Sequence, residues 1–69
     1  MIHLEVKNHD RIDNVIYAAL VLRNRNNEDV EFVFNDIRIV VTKNSNYASI
    51  HDEYYNEMDK QIGFSRLNA

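Results

Sequence analysis

The chain has 69 residues and a formal net charge of −3, with no cysteine, no proline and one glycine. The absence of cysteine excludes disulfides and thiolate metal sites. Eight basic against eleven acidic residues argue against general nucleic-acid binding, which needs clustered Lys and Arg. No apolar run approaches the roughly 20 residues of a membrane span, and the first residues do not resemble a signal peptide. We therefore expect a cytoplasmic protein.

A chain of this length is expected to fold as one small domain with a limited core, since about 60 residues bury only roughly 60% of their unfolded surface. Domains of this size commonly gain stability from disulfides, a metal or a partner chain. Because disulfides are excluded and no metal-ligand spacing is present, a second copy of the chain is the most available source of stability. A homodimer is therefore the default expectation, with no cofactor and no metal.

The first predicted element is a short strand over residues 2–6. Apolar and polar side chains alternate there, and a period of two places the apolar side chains on one face of a strand. The apolar residues of this stretch are Ile2, Leu4 and Val6.

A helix is predicted over residues 11–23, because its apolar residues recur at spacings of three and four and two alanines adjoin in its middle. Asp10 is expected to cap the helix, and Asp13 to lie in the first turn, where the helix dipole favours a negative charge. A strand through residues 16–22 is the alternative, since apolar residues also alternate there. Residues 24–29 contain three asparagines and no apolar residue, which predicts a loop.

Residues 30–42 carry the clearest pattern in the sequence, and it predicts a β-hairpin. Two runs of alternating apolar residues flank Asn35-Asp36. Asn and Asp tolerate the positive φ that a two-residue type I′ turn requires. The register that follows places six side chains on one face, in the pairs Phe34 with Ile37, Phe32 with Ile39, and Val30 with Val41.

A second, amphipathic helix is predicted over residues 46–60, because apolar residues recur there at spacings of three and four. Gly63, just beyond it, is expected to end this helix. The domain then covers residues 1–62, and residues 63–69 form a C-terminal tail. The order strand, helix, strand, strand, helix predicts an α+β fold with a three-stranded sheet and both helices on one face.

The second helix also carries the candidate partner-binding surface. Four acidic residues and a tyrosine lie off its apolar stripe, and arrays of like charge steer partners of opposite charge. Tyrosine is a frequent anchor at protein interfaces. The alternative interpretation is a solvated helix face. The residues of this surface are Asp52, Glu53, Tyr55, Glu57 and Asp59.

Two other surfaces are candidates for binding. Val33 and Val40 lie on the sheet face predicted to point away from the helices, where they form the candidate oligomer interface. They are alternatively single exposed valines, which suit a strand. Arg11, Arg23 and Arg25 are the candidate phosphate contacts of a weak nucleic-acid-binding protein.

No set of catalytic residues is recognisable. One glycine excludes a glycine-rich phosphate loop, and the three histidines lack the spacing of a metal-ligating pair. The serines have no base placed beside them by the local pattern. A hairpin-and-helix core of this size leaves little room for a pocket of several hundred Å³. We therefore predict that the protein is not an enzyme.

Residues 30–41, VEFVFNDIRIVV, are followed by a polar turn and a helix that reaches Tyr54. This arrangement resembles short uncharacterised bacteriophage and prophage proteins that carry Phe-x-Phe-Asn-Gly, alternating aliphatic residues and a helix with a tyrosine. Asp36 stands where that glycine is usual, and the resemblance covers residues 30–54. It implies a virus-encoded accessory protein inside a bacterial cell, and it transfers no catalytic residue. Together with the acidic surface of the second helix and the lack of a catalytic set, this leads to the hypothesis of a non-enzymatic protein that binds a host or viral protein.

Overall fold

The computed structural model describes the backbone of residues 1–7 and 9–67, and the side chains of residues 1–7 and 9–60. The predicted α+β order of strand, helix, strand, strand, helix is confirmed. The elements are β1 (Ile2–His3), α1 (Ile12–Asn26), β2 (Val30–Phe34), β3 (Ile37–Val41) and α2 (Tyr47–Leu67).

The three strands form one mixed sheet in the order β1-β2-β3. β1 runs parallel to β2, and β2 runs antiparallel to β3. A parallel pair needs a crossover connection, because a tight turn reverses the chain direction. Helix α1 supplies that crossover. β2 is the central strand, because it pairs with both β1 and β3.

The predicted hairpin and its register are confirmed. Phe34 pairs with Ile37, and the pairing continues residue by residue along β2 and β3 to Val30 and Val41. Asn35 and Asp36 have φ angles of 51° and 65°, as a type I′ turn requires. The Asn35 side-chain amide also donates a hydrogen bond to the hydroxyl of Tyr54 at 3.0 Å. The turn is therefore held by its own backbone preference and by a contact with α2.

The core lies between one face of the sheet and the two helices. Alternate side chains of β2 and β3 pack against side chains of α1 and α2. The rings of Phe34 and Tyr54 form a T-shaped pair with centroids 5.5 Å apart. Phe32, in the central strand, has no exposed surface. Burying a large apolar side chain contributes roughly 1.5–3 kcal/mol, so these contacts dominate the stability. The buried residues are Val15, Ile16, Ala19, Val30, Phe32, Ile37, Ile39, Val41, Ile50 and Tyr54.

The first strand is shorter than predicted, and the predicted cap of α1 is wrong. The amide of Leu4 still donates to the carbonyl of Glu31 at 2.8 Å, so the chain follows β2 just beyond β1. Arg11 occupies the cap position without a side-chain hydrogen bond. The carboxylate of Asp10 instead accepts a hydrogen bond from the amide of Lys7, which closes a turn before the helix.

Both helices extend beyond their predicted ends. Helix α1 includes the first half of the predicted loop and ends at Asn26. Its C-cap, Asn27, has the left-handed φ of 51° that asparagine tolerates. The competing strand over residues 16–22 is wrong. Helix α2 continues past Gly63 to Leu67, so Gly63 does not end it, and the predicted tail is helical over residues 63–67. Residues 68–69 lie outside the described part of the chain.

The replacement Asp36→Gly is expected to stabilise the fold. Asp36 holds a positive φ, which is unfavourable for a residue with a Cβ and free of that penalty for glycine. We expect the free energy of unfolding in urea to rise by up to about 1 kcal/mol. Asn35→Gly is the matched control, since it relieves the same backbone angle but removes the hydrogen bond to Tyr54. A lower urea midpoint for Asp36→Gly would contradict the turn assignment.

Candidate partner-binding surfaces

The five residues of the predicted partner-binding surface lie on two different sides of α2. At about 100° per residue, Asp52, Tyr55 and Asp59 fall within an arc of about 60°. Measured from Asp52, Glu53 lies about 100° round the helix and Glu57 about 140°. Glu57 is half-buried and pairs with Lys60 at 3.2 Å, whereas the other four residues are exposed. The structure therefore supports two separate acidic surfaces in place of one.

A row of four rings in successive contact adjoins the side of α2 that carries Asp52 and Asp59. Successive ring centroids are separated by 5.2 Å, 5.8 Å and 4.5 Å, and the second pair is stacked with an interplanar angle of 26°. Three of the rings are one turn apart on α2, and the fourth comes from α1. We call this row the aromatic ridge; it consists of Tyr17, Tyr47, His51 and Tyr55.

The aromatic ridge is partly exposed and held in place by hydrogen bonding. Tyr17 and Tyr55 have 61% and 37% of their surface exposed. The hydroxyl of Tyr47 donates a hydrogen bond of 2.6 Å to Oδ1 of Asp13. This bond to a carboxylate raises the pKa of Tyr47 to about 12, because the acceptor favours the protonated phenol. The bond also links the first turns of the two helices.

The sheet face that points away from the helices carries the candidate oligomer interface. Val33 is 44% exposed and Val40 is half-buried. Beside them, Glu31 accepts hydrogen bonds from Arg38 and lies 3.5 Å from a ring nitrogen of His3. The hydrogen bond from Arg38 lowers the pKa of Glu31. The two valines thus sit within a charged network and do not form a continuous apolar patch.

The three arginines of the nucleic-acid alternative do not come together. The guanidinium of Arg23 donates to the carbonyls of Thr42 and Ser45, so it ties the connection between β3 and α2 to α1. Arg11 and Arg25 stand at opposite ends of α1, about 21 Å apart at 1.5 Å per residue. These three arginines therefore do not form a single positive cluster for a phosphate backbone.

An open cleft of about 440 Å³ lies at the C-terminal end of α1. This size contradicts the expectation that the chain leaves little room for a pocket. Its lining mixes both signs of charge and includes the tethered guanidinium of Arg23, so it does not present a single kind of ligand chemistry. The lining residues are Arg23, Asn24, Asn27, Glu28, Asp29 and Lys43.

Sequence reasoning missed the aromatic ridge. Tyr47 and His51 fall within the predicted second helix without a predicted role, and Tyr55 is predicted only as an anchor of the acidic surface. The spacing of four residues between successive rings on α2 was the available signal, because such residues are neighbours on a helix. The contribution of Tyr17 depends on how α1 approaches α2, which no local pattern reports.

Comparisons with known proteins, and searches for a metal site and a membrane span, identify no further candidate function. No protein-family model matches the chain, and neither the curated proteins nor the solved structures yield a match. Among residues with described side chains, no group of three or more His, Cys, Asp or Glu could hold a metal ion. In the same part of the chain, neither helix has the length and apolar character of a membrane span.

Alkaline titration tests the bond between Tyr47 and Asp13. The tyrosinate absorbance due to Tyr47, defined as the component lost in Tyr47→Phe, is expected near pH 12. Because the pKa is raised from 10, the bond stabilises the fold below about pH 10 and this contribution is lost as the pH rises to about 12. In Asp13→Ala the component should move towards pH 10. A wild-type component already at pH 10, with the fold intact by circular dichroism, would contradict the contact.

Proposed function

We propose that this chain is a small, non-enzymatic accessory protein of phage or prophage origin. It binds a host or viral protein in the bacterial cytoplasm through the side of α2 that carries Asp52, Tyr55 and Asp59. Glu53 and Glu57, on the other side of the helix, form a second acidic surface that the partner does not need.

The environment of Tyr55 is the observation that favours this side of α2. Tyr55 is exposed yet restrained, because its ring lies 4.5 Å from the ring of His51 and 5.2 Å from that of Tyr54. A restrained aromatic side chain loses little conformational freedom on binding, which makes it an effective interface anchor. Asp52 and Asp59, one turn to either side, add charges that steer a basic partner.

The viral origin rests on the resemblance of residues 30–54 to short phage and prophage proteins. The part of the chain on which that resemblance depends is the hairpin around Asn35-Asp36 and the helix with Tyr54, and these two elements touch through the Asn35 side chain. The non-enzymatic role is supported by the cleft, whose one strongly oriented cation, Arg23, is engaged by backbone carbonyls.

A homo-oligomer is the second candidate function, favoured by one observation. Val33 is 44% exposed in the middle of a sheet face that no helix covers. A second copy placed against this face would bury Val33 and Val40. The ion pair of Glu31 and Arg38 lies between them and would have to be desolvated or rearranged, at an energetic cost.

Affinity capture from bacterial lysate tests the proposal with two double variants of equal charge. Asp52→Lys/Asp59→Lys and Glu53→Lys/Glu57→Lys each change the net charge by four units, so any difference between them reports position and not total charge. We expect the wild type and the Glu53/Glu57 variant to retain the same captured protein, and the Asp52/Asp59 variant to lose it.

Three results would contradict the proposed surface. Capture of nothing above the bead background would remove the binding role. Retention of the captured protein by the Asp52/Asp59 variant would remove that side of α2. Capture of the chain's own untagged copy alone would favour the homo-oligomer through Val33 and Val40.

A further inference from the structure

The aromatic ridge has the same chemistry at both of its ends. At each end, a partly exposed tyrosine ring lies one helical turn from at least one aspartate. On α1 the pair is Tyr17 with Asp13, and on α2 Tyr55 lies between Asp52 and Asp59. A ring face attracts a cation through its quadrupole, and a carboxylate nearby attracts the same cation through its charge. Each end of the aromatic ridge is therefore a candidate binding site for a positively charged group.

The end formed by Tyr17 is the more open one. The ring of Tyr17 is 61% exposed, and its contact with Tyr47 at 5.2 Å restricts its orientation. Oδ1 of Asp13 already accepts the hydroxyl of Tyr47. Within the described part of the chain, Oδ2 of Asp13 accepts no hydrogen bond, so it remains an acceptor for a donor that lies over Tyr17.

Charge decides which planar group the aromatic ridge accepts. Nucleobases stack on exposed tyrosines, but proteins that use this mode also need a positive groove for the phosphates. Here the charged side chains one turn from Tyr17 and Tyr55 are carboxylates, which would repel a phosphate backbone. A basic protein segment meets no such repulsion, and its cations are attracted by both the rings and the carboxylates.

Arginine fits this arrangement better than lysine. A guanidinium is planar, so it stacks on an aromatic ring while its N–H groups still donate to a carboxylate in a fork geometry. An ammonium is a compact, strongly hydrated charge that cannot do both as effectively. The combination of ring and carboxylate at each end thus selects for arginine.

The distance between the two ends sets the spacing of the arginines. The three successive ring contacts limit the separation of the Tyr17 and Tyr55 ring centroids to at most about 15.5 Å. An extended chain covers about 13 Å in four residues, and residues four apart point to the same side. We infer that the aromatic ridge binds an extended segment of the partner that carries two arginines four residues apart. This inference rests on the proposed function and specifies the partner's chemistry.

Binding of short synthetic peptides to the full chain tests the inference. A dye-labelled peptide with two arginines four residues apart in a Gly/Ser background is the probe, and fluorescence anisotropy is the readout. Peptides with lysine or glutamine at the same two positions, and one with two adjacent arginines, are the comparisons. A single-stranded oligo-uridine of similar length tests base stacking.

We expect the spaced arginine peptide to bind more tightly than every comparison. Tyr17→Leu and Tyr55→Leu should each weaken its binding by roughly two- to five-fold, the range given by a cation–π contact at an exposed site, while Tyr17→Phe retains the ring and should retain affinity. Asp52→Asn/Asp59→Asn should weaken binding more than Glu53→Gln/Glu57→Gln, which changes the net charge equally. Circular dichroism confirms that each variant is folded.

Equal binding of the lysine and arginine peptides, or tighter binding of oligo-uridine, would overturn the inference. Equal effects of the two double amide variants would do the same. These results are distinguishable from failure of the proposed function. If no arginine peptide binds while the captured protein still requires Asp52 and Asp59, the inference fails alone; if the peptide binds as expected and lysate yields no partner, the proposed function fails alone.

Discussion

The structure depends on burying one face of a two-stranded ribbon, with Phe32 at its centre. Side chains alternate along a strand. When one set of residues fills the core, the residues between them must therefore lie on the opposite face of the sheet. The inner face of β2 and β3 receives both helices, and Phe32 and Ile39 lose all solvent contact there. The outer face is left with Val33 and the ion pair of Glu31 and Arg38. Both helices pack on the inner face, so no described helix covers the outer face of the sheet.

This one-sided arrangement also explains why aromatic side chains reach the surface of the helices. A small core needs only a narrow stripe from each helix, and on α2 Ile50 and Tyr54 fill it. The rings at the border of that stripe contact one another, and Tyr47 also packs against the core. Tyr47 connects the two helices, since its ring meets Tyr17 and its hydroxyl meets Asp13. The result is a surface of rings beside carboxylates, and the proposed protein recognition rests on it.

The sequence predicted the parts of the fold that depend on local chemistry. Strand alternation and the Asn35-Asp36 turn determine the hairpin register, because a slip of one residue would expose the whole apolar face. Helix ends were predicted less well. Gly63 permits a helix end without requiring one. The carboxylate of Asp10 accepts a hydrogen bond from the amide of Lys7 and does not cap α1. The aromatic ridge could not be predicted in full, because Tyr17 and Tyr47 are brought together only by the packing of two helices that are distant in sequence.

The most direct test of the one-sided sheet is the solvent accessibility of valine methyl groups, measured by NMR relaxation with a soluble gadolinium chelate. Val30 and Val33 lie on the same strand, with 0% and 44% of their surface exposed. We expect strong relaxation of the Val33 methyls and little effect on those of Val30 and Val41, in a dilute sample. Equal relaxation of Val30 and Val33 would contradict it.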